Sequence, residues 1–235
     1  MVCVKPSGCG QVIRSDRNME TLSVSELFVS IQGESLAAGR LCAFVRLAGC
    51  NLRCAYCDTD YAWDAGAGRA MDVDEVAAWV SRSGVPLVEI TGGEPLLQPR
   101  VYPLMETLIG YGLEVLLETN GHVDARGVPE GVTRIIDVKT PGSGMADGDF
   151  LVNLPSLRAN DQIKFVLTGR KDYDWAKRVL GVHPELARVA AILFSPAFGA
   201  LPPRDLAEWI IADRLPVRFQ LQLHKYVWGP QARGV

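Results

Sequence analysis

Residues 41–60 read LCAFVRLAGCNLRCAYCDTD. The first seven form a short, largely apolar run that reads as a β-strand, and the polar remainder carries Cys50, Cys54 and Cys57 in a C-x3-C-x2-C spacing. A strand that opens directly into a chemistry-bearing loop is characteristic of parallel βα folds, which hold their ligands at the carboxyl ends of the strands. The arrangement recurs along the chain. Strands are expected over 24–31, 41–47, 87–91, 113–118, 133–138, 162–167, 189–194 and 217–223. Thr91-Gly92-Gly93-Glu94-Pro95 follows the third of these, Glu118-Thr119-Asn120-Gly121 the fourth, and Asp137-Val138-Lys139 closes the fifth. Ser195-Pro196 and His224-Lys225 come after the last two, so six strand ends direct polar groups at one rim.

Helical patterns lie between some of the strands. Asp72 and Glu75 have the spacing of a capping box, with Val73, Val76, Ala77 and Val80 on one face. Further helices are expected near 100–110, over 172–180 and from Pro203, a favoured first-turn residue. The connections 119–132 and 139–161 carry no amphipathic helix. The expected fold is therefore α/β, an incomplete βα barrel of parallel strands with fewer helices than strands. One domain over 21–235 is expected, and the polar, aperiodic residues 1–20 read as a mobile leader.

Composition narrows the function. The chain has 235 residues, 48% hydrophobic and 22% charged, ordinary for a soluble protein. A formal net charge of -3 provides no basic field for nucleic acid. No apolar run nears the roughly 18 residues of a membrane span, and the first twenty residues lack a signal peptide's apolar segment. A cytoplasmic protein is expected, in which Cys3, Cys9 and Cys42 are simple thiols and the tight trio binds metal or acts in catalysis.

Three thiolates suit zinc if a fourth ligand is found, or a four-iron cubane with one iron left open. Cys42 is a poor fourth ligand because the pleat of its strand fixes its direction, and His122, His183 and His224 are remote in sequence. The segment is too polar for three buried core thiols.

With Tyr56 before the last cysteine and TGGEP after the next strand, the chain resembles the radical S-adenosylmethionine superfamily. That resemblance implies a [4Fe-4S] cluster on Cys50, Cys54 and Cys57, with S-adenosylmethionine chelating the open iron. The reduced cluster then splits the sulfonium to give a hydrogen-abstracting radical. On this resemblance Tyr56, Cys57, Asp58, Gly93, Glu94, Glu118, Asn120, Asp137, Val138, Lys139 and Ser195 hold S-adenosylmethionine. Gly92 and Gly93 would leave room for its methionine moiety, and Glu94 would accept from its ammonium.

ELFVSIQGE at 26–34, with FVRLAGCNLRCAYCDTDYAW, LETNG, IDVKTPGSG and LQLHKY, further resembles the 7-carboxy-7-deazaguanine synthases over about 24–230. This implies rearrangement of 6-carboxy-5,6,7,8-tetrahydropterin with loss of ammonia, in queuosine and 7-deazapurine biosynthesis. It also implies a magnesium ion at Thr59, a flavodoxin or ferredoxin as electron donor, and a homodimer. A flat pterin bearing a carboxylate suits Arg46 as its bidentate partner, with Ile31, Gln32, Gly33, Glu34, Thr91 and His224 around it. Taken singly, Gln32-Gly33-Glu34 also reads as a turn, Arg46 as a surface residue and His224 as no ligand; their shared rim favours a site.

Two departures from the family pattern stand out. Ser35 replaces the glycine of Q-G-E-G, and residues 231–235 follow Pro230, where family chains commonly end close to the substrate. Pro230 is therefore left out of the expected site. The competing readings are an activase acting on a protein glycine, which needs a peptide groove, and a zinc-binding module without enzymatic activity.

Overall fold

The apolar alternation is realised as one curved, open sheet in a computed structural model that describes residues 21–146 and 149–235. The expected leader over 1–20 lies outside the described residues. In chain order the elements are β1 (Leu22–Ile31), β2 (Leu41–Leu47), β3 (Arg69–Met71), α1 (Val73–Ser83), β4 (Leu87–Gly92) and α2 (Val101–Gly110). There follow β5 (Glu114–Thr119), β6 (Val132–Asp137), β7 (Gln162–Leu167), α3 (Arg170–Val182), β8 (Ala191–Pro196), α4 (Pro203–Asp213), β9 (Arg218–Phe219) and α5 (Leu223–Trp228). The strand order is β3-β1-β2-β4-β5-β6-β7-β8-β9. Five α-helices against nine strands among the described residues make this the incomplete barrel expected.

Three expectations are corrected. The sheet is not wholly parallel: β1 runs antiparallel to β2 and to the unanticipated β3, while β2 and β4 to β9 pair in parallel. A short connection such as 32–40 can return a strand only in the antiparallel sense, because a parallel return needs a long crossover. Asp72 does stand at the N-cap of α1, but its side chain makes no capping bond. The strand expected over 217–223 is paired only at Arg218–Phe219. Gln220 N still donates to Phe194 O, but Leu223 N donates to Gly33 O, and α5 begins there.

The pleat sorts residues between two faces. Ala43, Val45, Leu47, Val88, Ile90, Val115 and Leu117 point outward and are covered by α1 and α2 in one apolar cluster. Ile136, Ile163, Phe165, Leu167 and Phe194 form a second cluster with α3 and α4. Inside the curve, Cys42, Phe44, Leu87, Leu116 and Ile135 make a small apolar floor, and Phe28 stacks on Phe44 at 4.9 Å. Cys42 is fully buried in that floor, away from the cysteine trio.

Candidate active site

Above the floor the strand ends surround a single cleft of about 1600 Å3, its open mouth included. Every residue expected to hold substrate lines it: Ile31, Gln32, Gly33, Glu34, Arg46, Thr91 and His224. So do Cys50, Cys54, Cys57, Tyr56, Asp58, Thr59, Gly93, Glu118, Asn120, Asp137 and Lys139.

Three expected residues stand elsewhere. Glu94 is fully buried, and its carboxylate accepts from Thr119 Oγ1 (2.9 Å), Asn120 N (2.7 Å) and Leu96 N (2.9 Å). Burial pushes its pKa up against those donors. In this arrangement it braces the cleft wall from behind the lining. Val138 packs into the second apolar cluster. Ser195 is fully buried behind the cleft lining.

The glycine pair lines the cleft and also has a packing role. Gly92 has φ +123, and a Cβ there would fall 2.2 Å from Leu47 O; at Gly93 it would fall 2.2 Å from Gly49 O. Gly93 N donates to Leu47 O at 2.9 Å and Glu94 N to Gly49 O at 2.8 Å. The pair thus lets β4 lie flush against the entry to the cysteine loop. Gly33 also marks a close approach, since a Cβ would meet His224 Nδ1 at 2.2 Å. His224 therefore reaches the cleft from the first turn of α5, packed on the loop after β1.

The three cysteines are half-buried at the cleft wall. Leu52 N points at Cys50 Sγ (3.4 Å) and Asn120 Nδ2 lies 3.9 Å from it, a setting that favours negative sulfur. Burial pushes Cys54 and Cys57 up as free thiols. Among the described residues no three His, Cys, Asp or Glu side chains converge on a point that would hold one metal ion.

Opposite the cysteines, Lys164 of β7 is buried among Glu34 (3.0 Å), Asp137 (3.3 Å) and Glu118. Burial alone would lower its pKa, but the three carboxylates raise it well above the ordinary lysine value. Burial would likewise raise Glu34, yet Lys164, His224 and the Gln222 amide hold its carboxyl below the usual range. Glu89, beneath Gln32 and bonded to its amide, is driven well up by burial and by Glu118. Glu89 holds its proton more tightly than a surface glutamate does. Arg46 Nε bonds Glu26 (2.9 Å), which also accepts from Tyr61, and Arg46 Nη1 donates to Thr59 Oγ1 at 3.3 Å. Thr59 Oγ1 donates to Asp58 Oδ1 at 2.9 Å, and Lys225 pairs with Asp58 at 2.6 Å.

Glu89, Lys164 and Lys225 were not among the expected site residues. Glu89 and Lys164 each interrupt an otherwise apolar strand, LVEIT and QIKFVL. Such a lone charge marks an inward-facing position over a cleft. Lys225 adjoins His224 in the LHKY run and is brought in by α5.

The family model described as the Radical SAM superfamily matches residues 45–141. The 7-carboxy-7-deazaguanine synthase of Chlorobaculum tepidum is 48% identical over 218 residues, covering 91% of this chain and 97% of that protein. That of Koribacter versatilis is 42% identical, covering 91% of this chain and all of the other. Among solved structures, QueE from Escherichia coli superposes with a TM-score of 0.70 at 23% identity, covering 90% of this chain and 100% of that one. SuiB of Streptococcus suis bound to S-adenosylmethionine gives 0.52 at 13% identity over 73% of this chain. These two structural likenesses concern the fold.

Proposed function

Since the chain belongs to the 7-carboxy-7-deazaguanine synthase family of radical S-adenosylmethionine enzymes, we infer that it converts 6-carboxy-5,6,7,8-tetrahydropterin to 7-carboxy-7-deazaguanine with loss of ammonia. This serves queuosine and 7-deazapurine biosynthesis. The observation that carries the reading is convergence: the cysteine loop after β2, the Gln32-Gly33-Glu34 turn after β1 and His224 of α5 face one cleft. A peptide-acting activase gives no reason for Gly33 and His224 to be packed together.

When bound, the [4Fe-4S] cluster and S-adenosylmethionine supply one-electron cleavage and hydrogen-atom abstraction. Cys50, Cys54 and Cys57 would hold the cluster. Tyr56, Asp58, Gly93, Glu118, Asn120, Asp137 and Lys139 would hold S-adenosylmethionine. Gln32 and Glu34 present one amide and one ionised carboxylate to the polar pterin edge, and Lys164 with Gln222 keeps Glu34 charged and fixed. Thr91 Oγ1 donates to Glu118 at 2.9 Å at the cleft lining, so its oxygen would serve a ligand as an acceptor. Arg46, held by Glu26, meets the substrate carboxylate with its remaining donors. Magnesium would take Thr59 Oγ1. With so few protein ligands, water and substrate oxygens complete its shell.

Residues 21–235 form one domain in this reading, behind a leader over 1–20. An electron donor is required, for which a flavodoxin or ferredoxin is suited. A cytoplasmic homodimer completes the picture. No described helix is long and apolar enough to cross a membrane, and Val29 and Leu41 leave apolar side chains exposed on the outer face of β1 and β2.

Anaerobic reconstitution followed by incubation with the carboxypterin, S-adenosylmethionine, magnesium and a reductant tests the reading. The deazaguanine acid is the expected product, and a fully clustered enzyme without turnover refutes it. Arg46→Ala should retain iron and weaken substrate binding; unchanged affinity removes Arg46 from the site.

A further inference from the structure

The chain does not leave the cleft at the end of α5. Gly229 turns it back with φ +91, and Gly229, Pro230, Ala232, Arg233, Gly234 and Val235 all border the cleft. Arg233 is exposed at the mouth, its guanidinium carbon 3.8 Å from the centre of the Tyr61 ring.

A charge inventory of the lining singles this residue out. Of the lysines and arginines that line the cleft, Arg46 holds Glu26, Lys139 holds Asp137, Lys225 holds Asp58, and Lys164 holds three carboxylates. Arg233 holds no carboxylate among the described residues. Contact with an aromatic face orients a guanidinium while leaving its in-plane N–H groups free to donate. Tyr61 in turn donates to Glu26, the carboxylate that fixes Arg46. The uncommitted cation is therefore tied to the Arg46 side of the cleft, while Lys139 sits with Asp137 and Tyr56 on the other.

We propose that residues 229–235 form a strap across the cleft mouth and that Arg233 is a specificity-determining residue that pairs with the carboxylate of the substrate. The proposal rests on the substrate reading above and adds to it. Arg46 is half-neutralised by Glu26, so a carboxylate that enters beside it gains most from a second, unpaired guanidinium. A bidentate arginine–carboxylate pair gives planar selectivity that a neutral substituent cannot satisfy. S-adenosylmethionine also carries a carboxylate, and the test separates the two.

The experiment compares wild-type and Arg233→Ala holoenzyme, both loaded with cluster, by titration calorimetry and steady-state kinetics. Loss of a charge-assisted pair at a partly exposed rim should weaken carboxypterin binding about tenfold. KM should rise with little change in kcat. Affinity for a tetrahydropterin lacking the carboxylate, and for S-adenosylmethionine, should not change. Arg233→Lys should recover part of the loss, since it restores charge without the fork. Equal weakening toward the decarboxylated pterin, a changed S-adenosylmethionine affinity, or an unaltered carboxypterin affinity each overturns the role given to Arg233. Wild-type enzyme that fails to bind the carboxypterin refutes the substrate reading itself, a distinct result.

Discussion

Replacing Gly93 by alanine separates two explanations of the TGGEP segment. If the glycine makes room for a ligand, the apoprotein is indifferent to a methyl group there and only cofactor affinity suffers. The structure shows a packing constraint at this position that acts without any ligand. The new Cβ would lie 2.2 Å from Gly49 O and 2.6 Å from Gly49 C, against an ordinary contact of 3.4 Å or more. The two segments must part by 3.4 − 2.2 = 1.2 Å, which stretches the Glu94 N to Gly49 O bond from 2.8 Å to well beyond hydrogen-bonding range. The neighbouring bond from Gly93 N to Leu47 O is strained with it. Two backbone bonds at about 0.5–1.5 kcal/mol each, plus carbonyls left without donors, total roughly 2–4 kcal/mol. That is a large share of a domain's usual stability of about 5–15 kcal/mol. Urea denaturation of iron-free wild type and Gly93→Ala reads the difference directly. Iron per chain after reconstitution should fall as well, because the cysteine loop loses its anchor on β4. An apoprotein of unchanged stability that has lost only S-adenosylmethionine affinity would refute the packing argument.

Three further outcomes follow from other residues. Ser35 holds φ +61, a conformation that costs a non-glycine residue about 1–2 kcal/mol, while its Oγ accepts from Ala37 N. Ser35→Gly should therefore unfold at equal or slightly higher urea, by less than about 1 kcal/mol, and a clear loss would mean the bond outweighs the strain. Arg134 and Asp161 are both fully buried and paired, so Arg134→Ala should cost about 3–5 kcal/mol in thermal or urea unfolding, and a cost under about 1 kcal/mol contradicts the assignment. Glu89 has a raised carboxyl, so above pH 4.5 the folded state binds more protons than the unfolded. Wild-type stability from this group then falls with rising pH, by up to about 1.4 kcal/mol per unit, until its folded-state pKa is passed. Glu89→Gln removes that slope, and parallel stability–pH curves for the two proteins would show that Glu89 does not titrate as described.

What was legible in the sequence was whatever local rules decide. The strand ends and the Cys50, Cys54, Cys57 loop depend on short-range pattern, and both appear where expected. The antiparallel return of β1 was implied by the brevity of residues 32–40 but obscured by the parallel pattern around it. The run VRFQLQL at 217–223 read as a full strand from its alternating apolar pattern, and Gln220 and Gln222 are indeed both buried. Contacts distant in sequence, Leu223 N to Gly33 O and Gln222 to Glu34, hold the chain where it turns into α5. The placement of Glu94 was hidden for a related reason. Its motif is local, but its three donors come from β5, the turn after it and its own turn, and these draw the carboxylate into the wall. Lys164 and Glu89 could have been found by asking why a charge interrupts an apolar strand.

The sheet is open, and the loop after β1 is laced across it to β7 and to the start of α5 by side-chain and backbone bonds. The loop after β1 reaches the far side through Leu36 N on Gln162 Oε1, Glu34 on Lys164 and Gln222, and Gly33 O on Leu223 N. Gly33 and Glu34 thus both span the open side of the sheet and line the cleft that a guest enters. A guest that draws Glu34 toward itself loosens the seam unless its own atoms take over the stitch. Tight occupancy and a closed rim are consequently one event, and a poorly fitting guest leaves that seam ajar.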